Sequence, residues 1–106
     1  MSIKNETVKF ISFRVGGDLL SGSGWGGVAE GDSLILYAQT LRDRIKAVYP
    51  SAAVQWAVDP RLGITVKFDR VEVDDDDIWA EDRAREACKH AADRLFEQNH
   101  LWVVEL

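Results

Sequence analysis

The stretch "TVKFISFRV", residues 7 to 15, carries apolar side chains on both faces of any strand it could form, and this limits the fold more than any other segment. Val8 and Phe10 share one parity, whereas Ile11, Phe13 and Val15 share the other. The strand is therefore either buried on both sides or broken by a bulge, and a central position in a sheet suits either case. Gly16-Gly17 ends it. A Gly-rich connection of about residues 16 to 31 follows, with Trp25 inside "GSGWGG".

Downstream, Asp32 or Ser33 is placed to cap a helix whose apolar residues Leu34, Ala38, Leu41, Ile45 and Val48 recur at spacings of four and three. It stops near Tyr49, before Pro50. Ala52, Val54, Trp56 and Val58 then alternate as in a strand with one buried face. The turn chemistry of Asp59, Pro60 and Gly63 leads into "ITVKFDRVEV", and the two runs read as a hairpin. Ile64, Val66 and Phe68 share one face while Val71 and Val73 hold the opposite parity, which predicts a bulge near Asp69 and Arg70. From about Asp76 to Gln98 the stripe Ala80, Ala84, Ala87, Cys88, Ala91 and Leu95 predicts a second helix. "LWVVEL" reads as a last strand, with Trp102, Val104 and Leu106 on one face.

The resulting order, β-α-β-β-α-β, implies an α+β ferredoxin-like, split β-α-β fold: a four-stranded antiparallel sheet with both helices on one face. With 106 residues, the expectation is a single domain over residues 1–106, the Gly-rich loop being an insertion. No run resembles a signal peptide or a membrane span, so the expected location is cytoplasmic and no membrane partner is expected. Cys88 has no second cysteine to bond, and with two histidines in the chain no metal site is expected.

The net charge of -5 is unevenly spread. Glu72, Asp74, Asp75, Asp76, Asp77, Glu81 and Asp82 fall within eleven residues that contain no Lys or Arg. A calcium loop does not fit them: counted from Asp74, position five is Ile78 and position twelve is Arg85; counted from Asp75, positions five and six are Trp79 and Ala80. One aspartate suits a helix cap, with its neighbours favoured by the helix dipole, but four exceed that need because like charges in one turn repel. On a helical wheel Trp79 lies roughly opposite the Ala84, Cys88, Ala91 and Leu95 stripe, which predicts a partly exposed indole among acids.

Catalytic signatures are missing. Gly22, Gly24 and Gly27 satisfy G-x-G-x-x-G, yet "VAEGD" intervenes before the helix and no lysine lies between Lys9 and Lys46, so no nucleotide cofactor is expected. "GITVKFDR" lacks the stacking residues of an RNA-recognition motif, and the acidic field opposes direct contact with nucleic acid. Cys88 points into the core and His90 and His100 have no triad context, so no catalytic residue is named and no enzyme is expected. Asp18 and Asp69 are the remaining pair to consider for metal chemistry.

The expected function is a non-enzymatic interaction module: Glu72, Asp74, Asp75, Asp76, Asp77, Trp79, Glu81 and Asp82, with Trp25, dock on a basic protein surface, such as that of a nucleic-acid-binding protein. In size and charge the chain resembles the small acidic inhibitors of phages, anti-CRISPR proteins and nucleic-acid mimics among them, although no motif carries that likeness. The alternatives are an oligomeric assembly module, a homodimer included, and a small-ligand binder or enzyme using the Gly-rich loop.

Overall fold

A computed structural model describes residues 8–20, 30–59, 61–74 and 79–104. Strand β1 (Val8–Gly16) leads through a 3-10 turn (Gly17–Leu20) to helix α1 (Glu30–Val48); strands β2 (Ala53–Asp59) and β3 (Val66–Val73) precede helix α2 (Ala80–Glu97), and a 3-10 turn (Asn99–Leu101) follows. The strand order is β2-β1-β3, with β1 parallel to β2 and antiparallel to β3. β1 is thus the central strand.

Two irregularities bring the apolar pattern into phase. In the β1–β3 ladder the register shifts between Val8 and Phe10 and again between Ser12 and Phe13, where Ser12 faces Arg70 but Phe13 faces Phe68. The extra residue at Lys9 turns Val8 to the side of Ile11, Phe13 and Val15, and the extra residue at Asp69 does the same for Val71 and Val73. Cross-strand rows follow on that side. Val58, Val15 and Val66 form one, Trp56, Phe13 and Phe68 the next, and Val54, Ile11 and Val71 a third. Phe13 and Phe68 pack with their rings 5.7 Å apart.

The helices cover this face. Leu34, Tyr37, Ala38, Leu41 and Ile45 of α1 and Ala84, Cys88, Ala92 and Leu95 of α2 join the strand residues in one buried cluster. Small residues on α2 let it approach closely, and the Tyr37 hydroxyl ties the helices by donating to the Ala92 carbonyl at 2.7 Å. Gly16 is required where the chain from Leu62 to Ile64 crosses the end of β1: a Cβ there would lie 2.8 Å from the Leu62 carbonyl oxygen. No helix among the described residues is long and apolar enough to cross a membrane.

Several expectations are corrected. The β2–β3 hairpin does not form, because β1 lies between the two strands; β1 offers the most buried apolar surface, and each neighbour gains more from it than from the other. The four-stranded antiparallel ferredoxin-like sheet is replaced, among the described residues, by a mixed sheet of three strands, with α1 supplying the crossover that a parallel pair requires. Residues 101–104 are a turn and irregular chain rather than a strand. Trp102 instead inserts between the helices, its indole N–H donating to the Leu95 carbonyl at 2.8 Å and its ring meeting Tyr37 edge-on. Asp32 and Ser33 do not cap α1, which starts at Glu30. Ser33 is buried, and its hydroxyl accepts the Val104 N–H at 2.8 Å, which pins the C-terminal segment to α1. Val48, placed in the buried stripe by its spacing, sits at the helix end and is exposed.

Candidate acidic surface

The acidic residues flank the passage from β3 to α2. Glu72 is the penultimate residue of β3, Asp74 follows the strand into solvent, and Glu81 and Asp82 occupy the first turn of α2, where carboxylates oppose the partial positive charge of the helix start. Asp75, Asp76 and Asp77 lie outside the described residues, as does Trp25 with the glycines around it. The position that begins α2 is Trp79, which makes no side-chain capping bond. An indole has a donor but no acceptor for the helix N–H groups, so the tryptophan cannot serve as a cap. It is 61% exposed, in keeping with the wheel, and its carbonyl accepts the Arg83 N–H at 2.9 Å.

Not all of this charge is free, contrary to what the lack of nearby basic residues suggested. Arg70 forms an ion pair with Glu72 and lies over the Phe10 ring, 5.7 Å from its centre. Arg85, one turn along α2, holds Glu81 at 2.9 Å and also donates to the Phe68 carbonyl at 2.9 Å. Both pairs bridge the acidic segment to its own sheet. Asp74 and Asp82 are exposed.

A second charged group was not foreseen. On the sheet face away from the helices, Arg14 grips Asp69 with two bonds of 2.8 and 2.9 Å and reaches Asp59 at 3.4 Å. The Arg14 guanidinium holds the Asp69 carboxyl below its usual range, and Asp69 in turn raises Arg14. Asp59 also accepts the Arg61 N–H at 3.1 Å, closing the turn after β2. A carboxylate already clamped by a guanidinium is a poor metal ligand, which removes the reason to pair Asp69 with Asp18. Arg14 is 45 and 55 positions from Asp59 and Asp69 in sequence, and no local spacing announces the contact.

The thiol and the imidazoles do not converge. Cys88 is buried, and burial pushes its thiol up to about 12, which leaves it neutral at physiological pH. His90 is on the solvent side of α2 beside Glu86, Lys89 and Asp93, and His100 is exposed in the last turn. Among the described residues no group of three His, Cys, Asp or Glu side chains is placed to hold a metal ion. A cavity of about 160 Å³ opens between β3 and α2, lined by Tyr37, Val66, Phe68, Lys89, Ala92 and Asp93 among others.

The chain matches no protein-family model, no curated protein and no solved structure.

Proposed function

We propose that this protein is a non-catalytic interaction module that uses the acidic head of α2 to dock on a basic partner. One observation carries the reading: a tryptophan 61% exposed at Trp79, between Asp74 on one side and Glu81 and Asp82 on the other. An exposed indole flanked along the chain by carboxylates is the composition of an interface anchor with a steering rim. Carboxylates along a strand end and a helix start can stand in for phosphates, so a nucleic-acid-binding protein is the partner class proposed, and the protein would act as its inhibitor or mimic. A buried lone thiol suits a reducing compartment, and we place the module in the cytoplasm.

The test uses three forms of the protein: wild type, Trp79→Ala, and Asp74 to Asp77→Asn. Each is used to capture partners from native lysate at low salt, and the captured protein is then purified and its association rate measured against salt. The expected result is a basic protein retained by wild type alone, with an association rate that falls steeply as salt rises. Equal recovery by all three forms, or a rate indifferent to salt, would sink the proposal.

A further inference from the structure

The two margins of the sheet are built differently. Along β3, Arg85 occupies the Phe68 carbonyl, the extra residue at Asp69 breaks the ladder, and Lys67, Asp69, Arg70 and Glu72 charge the strand. Charges, bulges and covering side chains are the means by which sheet edges resist the addition of another strand. Among the described residues, β2 shows none of them from Ala53 to Val58. Its register with β1 is unbroken from Ala53 to Asp59, its residues from Ala53 to Val58 are uncharged, and it contains no proline. Among the described residues β1 is the one strand paired with it. Val54, Trp56 and Val58 pack against the core yet remain partly exposed at this margin.

We propose that the outer edge of β2 is a self-association site, where two copies of this chain pair their β2 strands antiparallel about a two-fold axis and join two sheets into one of six strands. This inference is independent of the acidic docking surface. A second copy is the occupant because the strand is its own complement. With Trp56 opposite the Trp56 of its copy, Val54 faces Val58 and Gln55 faces Ala57, so apolar side chains meet on the helix side and no like charges are opposed. Asp59 falls opposite Ala53 and stays within reach of Arg14 of its own chain. A seven-residue edge falls short of the roughly 1,000 Å² that a stable interface clears, so the dimer is weak and forms with rising concentration. Each copy carries a net charge of -5, so the copies repel and added salt tightens the pair. That sign is opposite to the one expected for docking on a basic partner, and the two proposals therefore fail separately.

The experiment is sedimentation of the full chain from micromolar to millimolar concentration, at low and moderate salt, for wild type and for Gln55→Lys with Ala57→Lys. Both positions are exposed on the outer face, so the variant keeps its fold, checked by circular dichroism, while the pairing sets lysine against lysine. The wild type should approach twice its monomer mass while the variant stays monomeric. In parallel, Gln55→Cys with Ala57→Cys should give an oxidised cross-linked dimer, against a background of none from the buried Cys88. A wild type monomeric at millimolar concentration, a dimer undiminished in the lysine variant, or no cross-link where wild type dimerises would each overturn the assignment.

Discussion

Phe13 and Arg14 are adjacent in β1 and belong to two different environments. Phe13, 1% exposed, sits at the centre of the helix-covered face between Trp56 and Phe68; Arg14 points the other way, onto a face where it pairs with Asp59 and Asp69 and lies across from Lys67. On the covered face, to which the bulge at Lys9 brings Val8 beside Ile11, Phe13 and Val15, stabilisation comes from apolar area removed from water, and each large side chain contributes on the kcal/mol scale. On the open face the ion pairs remain in contact with solvent, which screens them, so they orient side chains more than they stabilise the fold. One strand thus separates the part of the molecule that holds it together from the part that meets its surroundings.

The largest test of this contrast is the neighbouring pair itself. Phe13→Ala should lower the unfolding free energy by about 3–5 kcal/mol in urea denaturation, because the ring's contacts are lost and a cavity remains. Arg14→Ala should shift the midpoint by a small fraction of that; a comparable loss would mean that the open face is covered.

Alkali probes the covered side. The unfolded chain ionises the Cys88 thiol from about pH 9.0, whereas the folded chain keeps it neutral to about 12, so proton release favours unfolding throughout that window. Stability should fall by on the order of 3 kcal/mol across it. Cys88→Ala should remove that share of the alkaline slope in urea midpoints measured at neutral and alkaline pH, and an unchanged slope would place the thiol in water.

Acid probes the open side, with the smallest effect. Asp69 is held below its ordinary 3.8, so its contribution is present above that pH and is lost as pH falls through the folded value. Asp69→Asn should flatten the acid limb of the melting temperature slightly below pH 3.8, and an effect at neutral pH larger than the acid one would point to a role beyond the Arg14 pair.

Local alternation made much of this legible. The change of phase between Phe68 and Val71 foretold the bulge at Asp69, the double apolar parity of "TVKFISFRV" allowed the bulge at Lys9, and the wheel put Cys88 in the core and, for a helix begun by Asp77, left Trp79 partly exposed, although α2 begins only at Ala80. Pairing was not legible. "DPRLG" has good turn chemistry whether the flanking strands pair or part, and only the competition for β1 decides between those outcomes. Trp102 and Val104 alternate as a strand would, but the bulk of the indole and its N–H find a better place beside Leu95 and Tyr37. The acidic surface was legible as composition, while its anchoring through Arg70 and Arg85 was legible only in part. Glu81 and Arg85 sit four apart, as the sequence shows; that the same guanidinium reaches the Phe68 carbonyl depends on how α2 lies against β3. The Arg14 cluster, drawn from three distant segments, had no local signature.

With β1 in the middle, no ladder of this sheet can zip outward from a tight turn. Phe10 meets Ala53 and Phe13 meets Phe68, so each pairing closes a loop of more than forty residues before its first hydrogen bonds can offset the entropy lost. Sheets whose pairings are this non-local form more slowly than helical bundles of the same size. Until β1 pairs with it, the uncharged stretch of β2 from Ala53 to Val58 offers an unpaired strand of the kind that invites association between incompletely folded chains.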